Sequence, residues 1–337
     1  MVRFGVIGCG GISRWHIGAI GSIPDAKLTA VCDELPERAR AAGEEYGVSY
    51  YSDLSEFLQS GLADAVCICT PSGLHADICI RALRHGLHTA VEKPLAITRE
   101  SLQEVLIAER KSGKKLTVLS QLRYGDGLQC AKEIIRTGGL GKITMADLSM
   151  KYFREPSYYS DNPWRGTLSM DGGGALMNQG IHGLDLLCWL CDGVSRVFCL
   201  IGTLTHDIET EDTLSAVLTL SNGALGVLTA TTSCYPGQER RLEICGTEGS
   251  MTLVEDTLVF LQQKDGTSYR GVRTQDSGTS NPFAISFELH KRQLAGFVSC
   301  IINDTPPPVN AADAAATLNV AFSLYESAAT GLPIMVH

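Results

Sequence analysis

Over residues 1–121 short apolar runs alternate with amphipathic stretches, and that alternation predicts a doubly wound parallel sheet. Strands are expected near 2–7, 28–32, 48–50, 65–69, 88–91 and 116–119. Helices are expected between them, near 11–22, 36–46, 53–59, 74–85 and 99–112. The run Ala65-Val66-Cys67-Ile68-Cys69 is apolar at every position, as a parallel strand covered on both faces must be.

After Gln121 the rhythm changes. A helix near 127–137 stops at Gly138-Gly139, a C-terminal signal. A long strand near 142–153, an aromatic loop and a helix near 173–191 follow. From 194 to 262 strands succeed one another with turn punctuation, including Ser221-Asn222-Gly223 between two apolar runs. That pattern predicts a mostly antiparallel sheet. The polar, Gly/Ser/Thr-rich stretch 264–282 reads as a mobile loop. Helices near 284–302 and 310–329 close the chain. The expected organisation is a Rossmann dinucleotide-binding domain over 1–122 and an α+β domain over 123–337 for substrate binding and oligomerisation.

Length supports two domains, since 337 residues are long for one core. No apolar run reaches the roughly 18–20 residues that span a bilayer, and Val2–Ile7 already reads as a buried strand rather than a leader. Several of the twelve cysteines (Cys32, Cys67, Cys69, Cys199) sit inside strand-like runs, where a thiol behaves as a small hydrophobe. Cys188 and Cys191 have C-x-x-C spacing but no second pair nearby, so they read as core, and no metal site is expected. A reducing, cytoplasmic location follows. The net charge of −9, with no basic block, disfavours nucleic acid and anionic membrane surfaces.

Chemistry enters at the strand ends. Gly8-Cys9-Gly10-Gly11-Ile12-Ser13 follows the first strand and opens the first helix, the context a dinucleotide fingerprint requires. Gly8 permits the tight turn and Gly10 lets a pyrophosphate approach the helix N-terminus. Asp33 ends the second strand, where a carboxylate accepts from ribose hydroxyls and repels a 2′-phosphate. NAD is therefore favoured, with NADP left open by the nearby Arg38. Thr70, Pro71 and His75, at the carboxyl end of another strand, are further cofactor candidates. Glu92-Lys93-Pro94 occupies the same edge, with Lys93 suited to stabilise alkoxide charge. Proline after it suggests a cis bond.

A second constellation runs from Asp171-Gly172-Gly173-Gly174 to Asn178, His182 and Asp185. On a helix Asn178 and His182 share a face, and Asp185 is placed to orient the imidazole. A histidine near its ordinary pKa suits proton transfer at neutral pH. The glycine run suggests that this helix starts against a ligand or another backbone.

These motifs together, Gly8-x-Gly10-Gly11-Ile12, Glu92-Lys93-Pro94 and Asn178-x-Gly180-x-His182-x-x-Asp185 after the glycine run, resemble the glucose–fructose oxidoreductase / inositol dehydrogenase / MocA (Gfo/Idh/MocA) family along nearly the whole chain. The resemblance implies NAD(P)-dependent oxidation or reduction of a secondary alcohol on a sugar or cyclitol. It implies Lys93 and His182 as catalytic residues, with Glu92 and Lys93 beside the cofactor. Most members carry Asp four residues before the histidine. Asn178 cannot take up a proton, which shortens the relay to Lys93 and His182. The Asn-Gln-Gly-Ile-His variant, with Tyr158-Tyr159 and Trp164-Arg165-Gly166 upstream, is similar to members acting at C3 of UDP-linked amino-sugar acids.

Arg123, Tyr152, Arg154, Trp164 and Arg165, with Asn178 and His182, form the expected substrate wall, because aromatic faces stack on sugar rings and arginines grip anions. The expected reaction passes hydride to nicotinamide while His182 takes the hydroxyl proton. Two other readings keep the fold: a redox-neutral enzyme that cycles bound NAD, and a non-catalytic NAD-binding sensor. The C-terminal sheet is expected to pair subunits into dimers or tetramers, as in the family.

Overall fold

The structure is a computed structural model that describes residues 1–271 and 287–337. The part of the polar stretch 264–282 beyond residue 271 lies outside the described residues. Among those residues, no helix is long and apolar enough to cross a membrane.

The chain divides into two compact units, Met1–Gln121 with Ser286–Ala315, and Leu122–Ile285 with Ala316–His337. In the first unit the elements run β1 (Val2–Ile7), α1 (Ser13–Gly21), β2 (Ala26–Cys32), α2 (Pro36–Tyr46), β3 (Ser49–Tyr51), α3 (Leu54–Gln59), β4 (Ala65–Ile68), α4 (His75–Arg84), β5 (His88–Val91), α5 (Arg99–Ser112) and β6 (Leu116–Val118). The six strands are parallel in the order β3-β2-β1-β4-β5-β6. That order reverses between β1 and β4, the switch point at whose carboxyl end dinucleotides bind. Local signals agree with the boundaries: Pro36 opens α2, and Thr98 caps α5 by accepting from Ser101 N.

One expectation is corrected here. Residues after 123 do not all belong to the second unit, because α9 (Glu288–Asn303) returns to the first. Its Leu294, Phe297 and Val298 bury into the same core as Val2, Phe4 and Ile20. Gln293 Nε2 donates to Val118 O (2.7 Å), and Thr117 Oγ1 donates to Val309 O (2.7 Å), tying the returning segment to β6.

In the second unit come α6 (Asp126–Arg136), β7 (Ile143–Lys151), the short α7 (Ser157–Ser160), a π-helix (Ala175–Gly180) running into α8 (Ile181–Leu190), then β8 (Val194–Gly202), β9 (Thr213–Leu220), β10 (Leu225–Thr231), β11 (Arg241–Gly246), β12 (Gly249–Val254), β13 (Thr257–Gln263) and β14 (Ser268–Arg270). The last helix, α10 (Ala311–Thr330), is shared between the units, and β15 (Ile334–Met335) ends the chain. The nine strands run β14-β13-β12-β11-β7-β10-β9-β8-β15, antiparallel except for β7 with β10. Asn222 and Gly223 make the β9–β10 turn, with Gly223 at φ 87°. Each strand alternates faces: Leu148, Met150, Leu228, Ala230, Leu242 and Ile244 point inward and are buried, and α8 packs against β7 on that side.

All twelve cysteines are free thiols, and Cys188 and Cys191 are buried.

Candidate active site

In the first unit the cofactor motifs converge on the carboxyl edge of the sheet. Gly8 has φ 90°, and a Cβ there would press on the Cys69 carbonyl and Thr70 nitrogen at 2.8–2.9 Å, so only glycine fits. A Cβ on Gly10 would meet nothing within 4 Å, which leaves open approach above the turn. Gly11 and Ile12 lead into α1, whose first turn carries no side-chain cap and no acidic residue. The helix start thus carries nothing that would repel a pyrophosphate. Asp33 is buried beneath the turn. Its Oδ2 accepts from Cys9 N (2.7 Å) and its Oδ1 from Leu35 N (2.9 Å). A carboxylate accepts about four hydrogen bonds, so two remain for the two ribose hydroxyls. Thr70 Oγ1 is buried with no hydrogen-bond partner, beside the half-buried Pro71. These features fit NAD.

Two other cofactor candidates turn inward. His75 is 1% exposed. Its Nδ1 lies 2.7 Å from Pro94 O and its Nε2 2.8 Å from Thr70 O, so both ring nitrogens face backbone carbonyls and neither is turned to a cofactor. Burial lowers its pKa. Glu92 is buried against His16, with Oε1 2.7 Å from Nε2, while its Oε2 accepts from Lys93 N at 3.2 Å. Burial opposes the charge on His16, but Cys67 and Glu92 outweigh it and push the pKa up to about 10. Burial likewise opposes ionisation of Glu92, yet His16 holds it well below the ordinary carboxylate range. Glu92 thus anchors the loop that carries Lys93. Lys93 itself is half-buried, and the Lys93–Pro94 peptide is cis.

In the second unit the expected helix begins as a π-helix, a form that recurs at functional sites. The glycine run meets another backbone, as the sequence suggested: a Cβ on Gly174 would collide with Glu211 O. Glu211 caps the entry, accepting from Gly174 N and Leu176 N (2.9 Å each) and from Tyr325 Oη (2.9 Å). Nothing near Glu211 in the sequence announced this role.

Asn178 and His182 are both half-buried, across the junction of the π-helix and α8. Asn178 Nδ2 donates to Asp171 Oδ1 (2.7 Å), and Asp171 Oδ2 accepts from Gly166 N (2.9 Å). Because a carboxylate only accepts, this fixes the Asn178 amide with Oδ1 turned toward Gln179 Nε2 (2.8 Å). Gln179 Nε2 also donates to Tyr158 Oη (2.7 Å), and Arg154 Nη2 donates to Gln179 Oε1 (2.7 Å). The Arg165 guanidinium lies over the Tyr158 ring at 4.0 Å and beside Trp164 at 5.6 Å. Arg165 Nε is buried without a hydrogen-bond partner. Asn178, Gln179, Tyr158, Arg154, Trp164 and Arg165 thus form one connected polar and aromatic group. The motif named Asp171 and Gln179 but gave neither a role; the structure makes them the partners of Asn178.

Arg123, Tyr152 and Asp185 are used otherwise. Arg123 is 5% exposed and grips Asp185 with both arms, Nε to Oδ2 at 2.8 Å and Nη2 to Oδ1 at 2.6 Å. Thr317 Oγ1 donates to the same carboxylate at 3.2 Å. Asp185 is therefore the counter-ion of Arg123. Arg123 is an internal tie rather than part of a substrate wall. Tyr152 is buried beside Arg240, and burial raises its pKa. It too belongs to the core.

The sequence profile of an oxidoreductase family with an NAD-binding Rossmann fold matches residues 2–120, and that of the GFO/IDH/MocA C-terminal domain matches residues 128–252. The chain belongs to the Gfo/Idh/MocA family. A solved structure, the WlbA dehydrogenase from Bordetella pertussis in complex with NADH and UDP-GlcNAcA, is 32% identical, covers 100% of this chain and 99% of that one, and superposes with a TM-score of 0.88. The WlbA dehydrogenase from Chromobacterium violaceum, also with NADH and UDP-GlcNAcA, is 30% identical, with 100% and 96% coverage and a TM-score of 0.89. Among characterised relatives, the scyllo-inositol 2-dehydrogenase (NAD(+)) of Bacillus subtilis is 26% identical over 99% of this chain and 96% of its own length. This Gfo/Idh/MocA protein is an NAD-binding dehydrogenase of the sugar and cyclitol class, acting on CH–OH groups.

Proposed function

We propose that the protein oxidises a secondary hydroxyl of a UDP-linked amino-sugar acid, at C3, with NAD as hydride acceptor. The observation that carries this reading is full-length similarity at 30–32% identity to two dehydrogenases whose structures hold NADH and UDP-GlcNAcA. The group around Tyr158 supports it. Two arginines, one with a buried donor lacking an acceptor, suit an anionic sugar better than a neutral cyclitol. NAD supplies the hydride acceptor. On this reading His182 takes the hydroxyl proton, Lys93 stabilises the developing alkoxide, and Arg154 and Arg165 bind substrate.

The test is NADH formation with UDP-GlcNAcA, UDP-GlcNAc, inositols and free sugars. UDP-GlcNAcA should turn over best, and Lys93→Ala or His182→Ala should each lower kcat about 10²- to 10⁴-fold. Turnover confined to a neutral cyclitol, or His182→Ala at full rate, would refute the assignment.

We propose further that the outer face of the second sheet pairs subunits. Phe198, Val217 and Val227 lie side by side across three strands, next to Leu225 paired with Met145. Val217, Leu225 and Met145 are 45–63% exposed. Light scattering should report a dimer or tetramer that Val217→Asp dissociates. A wild-type monomer would contradict this.

A further inference from the structure

We infer that the Rossmann unit carries a buried site for a thiophilic d10 cation, with Zn²⁺ the natural probe, ligated by Cys67 Sγ, Cys69 Sγ and His16 Nδ1. Cys67 and Cys69 stand two apart at the end of β4 and so share a face. Their sulfurs are 3.8 Å apart. A tetrahedral ion with Zn–S bonds of about 2.3 Å demands an S···S edge of about 3.8 Å. A disulfide would need the sulfurs at about 2.05 Å, far inside the observed spacing. A His16 ring nitrogen joins them, all three ligand atoms lying within 4.8 Å of one another and all three residues buried.

The second observation concerns His16 itself. Its side chain is fully buried, and its Nδ1 has no hydrogen-bond partner. Its Nε2 lies 2.7 Å from Glu92 Oε1. With its Nδ1 proton displaced by an incoming ion, a histidine that donates Nε2–H to a carboxylate presents the Nδ1 lone pair. Carboxylate–histidine–metal is the arrangement by which outer partners set the tautomer of a metal ligand. A thiol pair packed as two small hydrophobes explains the cysteines but not the buried imidazole whose ring nitrogen stands within 4.8 Å of both sulfurs. His290 adds to the case. It is 4% exposed, meets His16 edge-on at 4.9 Å between ring centroids, and both its ring nitrogens lack partners. With His16 and Glu92 it forms a second, adjoining group of buried donors.

The site is structural rather than hydrolytic, since all three of its donor residues are buried. Two thiolates offset the charge of the ion, and the donors select zinc over hard cations. Its occupation would join α1 and β4 directly behind Gly8, whose backbone abuts Cys69, and would load Glu92 beside Lys93.

The test uses the full chain. After Zn²⁺ addition and gel filtration with a weak chelator, elemental analysis should find about one ion per chain. Co²⁺ in its place should give a thiolate-to-metal charge-transfer band. Cys67→Ala/Cys69→Ala should abolish both, lowering affinity by more than the roughly 10- to 100-fold that outer partners command. The control Cys130→Ser/Cys245→Ser, which removes the exposed thiols, should change neither. No retained ion and no band in the wild type would overturn the site. So would binding that survives in the Cys67/Cys69 variant or disappears with the surface pair. Should the double alanine variant not fold, the control protein decides alone: its Co²⁺ band must have the intensity of two thiolates.

Discussion

The pair of Arg123 and Asp185 makes a prediction that separates structure from substrate binding. Asp185→Asn removes the charge opposite a guanidinium whose side chain is 6% exposed, and both of its short hydrogen bonds lose their charged acceptor. Breaking a buried pair from one side costs about 3–5 kcal/mol, because the remaining charge stays buried without compensation. Thr317 loses a charged acceptor as well, a smaller term. For a unit of this size each kcal/mol moves Tm by about 2–4 °C, so Asp185→Asn should lower it by about 6–20 °C. Arg123→Met should fall in the same range. The double variant Arg123→Met/Asp185→Leu should recover most of the loss, since replacing a whole buried pair by apolar residues is near neutral. The assay is thermal and urea unfolding of all three, with KM measured at a temperature where each is folded. If Arg123→Met left Tm unchanged and raised KM about 100-fold, the internal-tie argument would be refuted and Arg123 returned to the substrate wall.

Three further outcomes follow from single contacts. Asn178→Asp sets a second carboxylate at hydrogen-bond distance from Asp171, so one of the two must hold a proton; its folded pKa lies above the unfolded value of about 3.9, and stability should fall as pH rises from there. A flat profile of unfolding against pH would count against the shared-proton geometry. Asp33→Ser removes the carboxylate that repels a 2′-phosphate, and the ratio of kcat/KM for NAD over NADP should drop by about tenfold or more, read from initial rates with the two cofactors. His88 is held at about pKa 4, first by burial and then by Lys114 and Lys115, and its Nδ1 accepts from Lys115 N at 3.1 Å. The unfolded chain takes up a proton near pH 6.5 that the native state refuses, so stability should decline as pH falls from about 6.5 to 4, by about 1 kcal/mol at this half-exposed site; an NMR titration placing His88 near 6.5 would contradict it.

How far the sequence went depended on the range of the forces involved. Strand β4 was legible because its burial on both faces writes an unbroken apolar run, and the Gly8 turn because its backbone admits no other residue. The return of α9 was not, since an amphipathic helix declares that it has a buried face without saying which sheet covers it. The same holds for charges. Asp185 finds Arg123 across 62 residues and His16 finds Glu92 across 76, while sequence spacing offered Asp185 only the local histidine. The π-helix was hidden for another reason. It starts directly after the close approach of Gly174 to Glu211, a tertiary contact that composition does not encode.

The departure at Asn178 gains a physical sense from its neighbours. An aspartate in that place could pass a proton, but here the amide is locked between Asp171, which can only accept, and Gln179 and Tyr158, which complete its carbonyl side. Such a chain holds its members still and moves no charge. Through Gln179 it reaches Arg154, whose second arm donates to its neighbour's carbonyl, Phe153 O, at 2.8 Å, so that the guanidinium is fixed before any ligand arrives. Side chains already ordered lose little further freedom on binding, which favours a charged and otherwise flexible substrate. On the proposed reading, then, the substitution exchanges proton-relay capacity for a preorganised anion-binding wall. Proton removal falls to His182, with Lys93 left to stabilise the oxygen from which the proton departs.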